Sequence, residues 1–128
     1  MKRIKLIIHQ PSVNKLLGQE LNLLLSDDAN IIDAISEVDK MIKSKGSFPV
    51  QNYGSFLHMV YNPVKNRFYR QVAVTVYTQL GQMINVRDDP RKELPDGVTI
   101  VLIPGGGCIT DWEEAKSYEE FLKAMQEI

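Results

Sequence analysis

The sequence predicts an α+β domain, with a mixed sheet packed against one main helix and a second helix at the C-terminus. Three stretches point to it. Near the N-terminus Ile4, Leu6 and Ile8 alternate onto one face, the period-two pattern of a strand covered on one side. Residues 31–45 place Ile31, Ala34, Ile35, Val38, Met41 and Ile42 on a single stripe at helical spacing, with Asp33, Glu37, Lys40 and Lys43 facing away. Residues 98–103 form an almost unbroken apolar run between turn signals, as expected of a central strand buried on both faces.

Size and charge narrow the class further. A chain of 128 residues fits one domain able to build its own core. Its net charge of −1 provides no overall field for nucleic acid or an anionic membrane. The local cluster Lys65, Arg67 and Arg70 carries no nucleic-acid motif and reads as a solvated hairpin tip. No apolar run approaches the roughly 20 residues of a membrane helix, and the basic start Met1-Lys2-Arg3 leads into a strand rather than a signal peptide. Cys108 is the only cysteine, so no internal disulfide forms and a reducing cytoplasm is expected.

Taken in order, the first strand is punctuated by Pro11-Ser12-Val13-Asn14. Residues 19–25 then put Leu21, Leu23 and Leu25 in register as the second arm of a hairpin. Asn30 and Asp33 resemble a capping box at the start of the main helix, and Gly46 is placed to end it. Residues 56–61 and 68–77 read as strands flanking Asn62-Pro63-Val64-Lys65-Asn66, where Asn66 tolerates a left-handed backbone. Val72, Val74 and Val76 alternate strictly. Residues 82–86 read as a short strand, broken by Asp88-Asp89-Pro90, and Leu94-Pro95-Asp96-Gly97 turns the chain into the final strand. After Pro104 and three glycines, Thr110 with Glu113 forms a second capping box. Asp111, Glu113 and Glu114 complement the helix dipole, and Ala115, Tyr118, Phe121, Leu122 and Met125 make a docking stripe.

A hairpin feeding a helix that crosses one sheet face can return the last strand beside the first, which is the β-grasp arrangement. In detail, Asp28-Ala29-Asn30-Ile31-Ile32-Asp33-Ala34-Ile35 resembles the start of the main helix in the ubiquitin-like sulfur carriers. Leu94-Pro95-Asp96-Gly97, with the strand and Ile103-Pro104 behind it, is similar to their ending before a diglycine tail. That group includes the small subunit of molybdopterin synthase, the thiamine-pathway sulfur carrier and the archaeal small modifiers. The resemblance implies a ubiquitin-like β-grasp domain over residues 1–107 and a removable C-terminal helical extension over 108–128. It implies a sulfur carrier or protein modifier joined through Gly106 and Gly107. Its partners would be an adenylating (activating) enzyme and a processing metalloprotease. Departures stand beside it: residues 47–70 are longer than the group needs and read as an inserted hairpin extending the sheet, twenty-one residues follow Gly107, and the tail after Pro104 is shorter than in the group.

Read alone, the glycines fit either that acyl-transfer tail or a hinge between the last strand and the capped helix. A phosphate cradle is excluded by the carboxylates in the first turn and the missing lysine. Cys108 has no histidine near it in sequence to lower its pKa. His9 and His58 lie far apart, and no His/Cys cluster at metal-ligand spacing occurs. No catalytic residue, metal site or cofactor is therefore expected, nor an enzyme. The alternative to a carrier is a binding or scaffold module whose stripe Tyr118, Phe121, Leu122 and Met125 docks on its own sheet or on a partner.

Overall fold

In a computed structural model, the protein is described over residues 1–45, 55–70 and 72–104. Chain order is β1 (Lys2–Ile8), α1 (Pro11–Leu17), β2 (Glu20–Leu25), α2 (Ile31–Ser44), α3 (Phe56–Val60), β3 (Tyr61–Asn62), β4 (Arg67–Phe68), β5 (Ala73–Tyr77), β6 (Met83–Ile84) and β7 (Val98–Ile103). The main sheet has the order β2-β1-β7-β5-β6. β1 pairs antiparallel with β2 and parallel with β7, with Ile4 opposite Val98, while β5 pairs antiparallel with β7. The last strand thus lies beside the first, with α2 against one face. This is the ubiquitin-like β-grasp order.

One side of the sheet makes the core. Ile4, Leu6 and Ile8 of β1, Leu21, Leu23 and Leu25 of β2, and Val98, Ile100 and Leu102 of β7 are all buried there. They share one cluster with Ile31, Ala34, Ile35, Val38 and Ile42 of α2. Val74 only partly joins it. The start of α2 follows the expected capping box, with Asp33 N–H donating to Asn30 Oδ1 at 3.0 Å and Asn30 N–H to Asp33 Oδ2 at 2.9 Å.

Three local expectations are corrected. Residues 11–17 are a helix, not a plain hairpin loop. Pro11 occupies the first turn, where no N–H is needed, and the Gln10 side chain caps Val13 N–H at 2.7 Å. Val13 anchors the turn in the core, and Gly18 ends it at φ +89°. Residues 56–60 are also helical rather than extended. Their apolar run Phe56-Leu57-His58-Met59-Val60 suits either state, and Ser55 selects the helix by capping His58 N–H. Finally, the expected strand over 68–77 splits into β4 and β5.

The inserted hairpin exists as β3 and β4, turned by Asn66 at φ +55°. It forms a separate two-stranded sheet and does not extend the main one. Tyr61 and Phe68 face each other across it in an edge-to-face contact at 5.6 Å. The expected C-terminal helix lies outside the described residues.

Candidate functional site

The site expected from the sequence is the tail leaving β7, and the described chain carries it to Pro104. β7 enters the sheet through a tightly held turn. Leu94 is buried and its N–H donates to the Ala29 carbonyl at 3.0 Å. The Asp96 carboxylate accepts the Arg3 N–H at 2.6 Å, and Gly97 N–H donates to the Arg3 carbonyl at 2.8 Å. Gly97 sits at φ +79°, where a side chain is strained and a Cβ would meet the Gln79 side chain. The Leu-Pro-Asp-Gly motif thus has a structural use: it sets the register in which β7 joins β1.

Lys2 strengthens the same junction from the core side. Its side chain is buried, and its ammonium donates to the Leu94 carbonyl and lies 3.8 Å from Glu93 Oε1. Carbonyl oxygens and a carboxylate compensate the buried charge, which is why a lysine is tolerated on a core-facing strand position.

At the other end β7 stops between β1 and β5, with Ile103 opposite Ala73. The N–H of His9 donates to the Leu102 carbonyl at 2.9 Å, and the His9 ring lies 3.2 Å from the Gln19 side-chain nitrogen. Pro104 is buried at this exit. Gly106, Gly107, Cys108 and the stripe Tyr118, Phe121, Leu122 and Met125 lie outside the described residues.

Opposite α2, the sheet presents a second face. Arg3 and Lys5 of β1, Asn22 and Leu24 of β2, and Thr99 of β7 line a groove there of about 420 Å³. Beside it Ile7 and Val101 are half-buried, whereas Ile103, Tyr77 and Met83 are exposed. Lys5 pairs with Glu20 at 3.4 Å. The face therefore combines aliphatic surface with two basic side chains near the start of β7.

A cluster that the sequence did not announce joins α2 to α3. The Asp39 carboxylate accepts the N–H groups of Phe56 at 2.7 Å and Leu57 at 3.0 Å, satisfying two donors left open at the start of α3. Ser55 Oγ lies 2.8 Å from His58 Nδ1. Burial raises the Asp39 pKa from its ordinary value, against the lowering effect of those two N–H groups, His58 and Lys43. Burial also lowers the His58 pKa, opposed by Asp39. Serine, histidine and aspartate are neighbours here, but both Asp39 oxygens are engaged by backbone N–H groups. The cluster is a helix anchor. Its one sequence signal is Ser55, a helix-capping residue directly before a segment, 56–61, that reads as strand.

Among the described residues no group of three or more His, Cys, Asp or Glu is placed to hold a metal, and no helix is long and apolar enough to cross a membrane.

No protein-family model matches the chain, and no curated protein matches it. A solved structure of the small archaeal modifier protein 1 of H. volcanii is similar to it at a TM-score of 0.49 and 12% identity. The match covers 82% of this chain and 99% of that one.

Proposed function

We propose that this protein is a ubiquitin-like carrier or modifier, activated at Gly107 after the extension 108–128 is removed. The observation that carries the reading is the path of β7. A rigid strand, held on both edges by β1 and β5, runs out of the sheet at Ile103-Pro104, and the sequence continues directly into three glycines. A rigid base followed by bare backbone suits a chain end that must enter a narrow active-site channel.

The chemistry needs a free carboxylate. Hydrolysis of the Gly107–Cys108 peptide bond by a protease, for which a metalloprotease is the expected class, exposes it. An adenylating enzyme then joins that carboxylate to the α-phosphate of ATP and releases pyrophosphate. A sulfur donor or an acceptor amine displaces AMP, leaving a thiocarboxylate or an amide. This chain supplies the carboxylate and the docking surface, and the catalytic groups belong to its partners. A cytoplasmic site, where ATP is abundant, fits that chemistry.

A binding module that never uses its glycines covalently is favoured by one observation, the apolar and basic sheet face opposite α2. Intact mass of the protein from its native source separates the readings. A species ending at Gly107 is expected for the carrier, and full-length chain alone discards it. In the processed form, Gly107→Ala is expected to weaken adenylation by a cognate activating enzyme, because a methyl group crowds the channel.

A further inference from the structure

We infer that residues 108–128 dock in cis on the open sheet face, as a helix lying across β1, β7 and β5 on the side opposite α2. The inference goes beyond the carrier reading and holds whether or not Gly107 ever becomes a chain end.

The first argument is the composition of β7. In a sheet with one face in water, that face is normally polar. α2 packs on one face of β1 and β7, and the opposite face departs from that pattern. On the other side β7 presents Thr99, Val101 and Ile103, two of them aliphatic, with Ile7 of β1 beside Val101. Ile103 remains 43% exposed and Leu24 61% exposed. Apolar surface grouped on one face in this way marks a contact site.

Length and place provide the second argument. The chain leaves β7 in the middle of the sheet with twenty-five residues still to run. A helix over the last eighteen would measure about 27 Å, while the outer strands of a five-stranded sheet lie about 19 Å apart. Three glycines at the exit permit the reversal that brings such a helix back over the sheet.

Charge is the third. Residues 105–128 carry six acidic and two basic side chains, whereas residues 1–104 carry ten acidic and thirteen basic. The open face carries Arg3 and Lys5. A segment with Tyr118, Phe121, Leu122 and Met125 on one stripe and Glu119 and Glu120 next to it offers both the apolar contact and the opposite charge.

Hydrogen exchange on the full-length protein tests this. Amides of residues 111–128 are expected to exchange at least tenfold more slowly than an unstructured peptide, independently of protein concentration. Ile103→Asp on the sheet and Phe121→Asp on the tail are each expected to abolish that protection while amides of α2 keep theirs. If Ile103→Asp also lowers protection in α2, the paired change Arg3→Glu and Lys5→Glu at exposed positions decides, with at least a threefold loss of tail protection expected. Coil-like exchange in the unaltered tail overturns the inference. So does protection that survives the substitutions on the sheet, or that rises with protein concentration, since the latter assigns the face to a second copy.

Discussion

The backbone of Arg3 is held from both sides by the turn before β7: its N–H donates to the Asp96 carboxylate at 2.6 Å, and its carbonyl accepts from Gly97 at 2.8 Å. Two residues separated by more than ninety positions are thereby brought into register before the parallel ladder begins at Ile4 and Val98. A parallel pair has no tight hairpin to fix its register, so this clasp takes that role. Asp96→Ala is expected to lower stability by about 1.5–3 kcal/mol, the usual worth of a hydrogen bond to a charged group. Asp96→Asn, which keeps an acceptor, should lose less. Urea unfolding of the two variants checks the difference.

Val38 is fully buried on α2 against the sheet. Val38→Asp introduces a charge with no partner and is expected to cost more than about 3 kcal/mol. A cooperative thermal transition like that of the unaltered protein would show the helix face to be wrongly assigned.

The Asp39 carboxylate is the link between α2 and α3. Asp39→Ala leaves two N–H groups without their acceptor and is expected to destabilise α3 by about 1–3 kcal/mol. The effect should be local. Exchange of α3 amides should quicken while β1 and β7 stay protected, and equal quickening in both would contradict the local role.

His58 makes stability depend on pH. Its folded pKa lies below the ordinary value of 6.5, so the unfolded chain binds the proton more readily. Its neutral form is fully compatible with the fold above that value, and stability is lost as pH falls from 6.5 towards the lowered pKa. Asp39 works in the opposite sense. Its raised pKa favours the fold below 3.8, an advantage lost as pH rises from 3.8 through the raised value. Just below pH 6.5 the His58 contribution lowers the melting temperature on acidification, and His58→Gln should flatten that slope. An unchanged slope in the variant would assign the dependence to other groups.

Short-range patterns decided the helix and the strands that form the core. The stripe from Ile31 to Ile42, the Asn30 and Asp33 cap, and the alternation of Ile4, Leu6 and Ile8 each state a local preference that the core then uses. They agree with one another, and the sheet order followed from connecting them. The left-handed turn at Asn66 was legible for the same reason, since asparagine accepts that backbone at little cost.

What only the tertiary structure decided are the places where a local pattern allows two states and a distant partner selects one. The run Phe56-Leu57-His58-Met59-Val60 is apolar except at His58 and fits a strand or a helix. The Asp39 carboxylate, seventeen residues away from Phe56, supplies the acceptors that a helix start needs. Lys2 alternates onto the core face, where a lysine looks misplaced, and is tolerated because the carbonyl of Leu94 arrives from the far end of the chain. Whether β5 begins at Phe68 or Ala73 depends likewise on β7, which offers ladder partners only from Ile103 onward to Ala73 and beyond. Sequence fixes which faces are apolar, because that is a property of neighbours along the chain. Which face meets which partner depends on hydrogen bonds and charges that exist only once the chain has closed on itself.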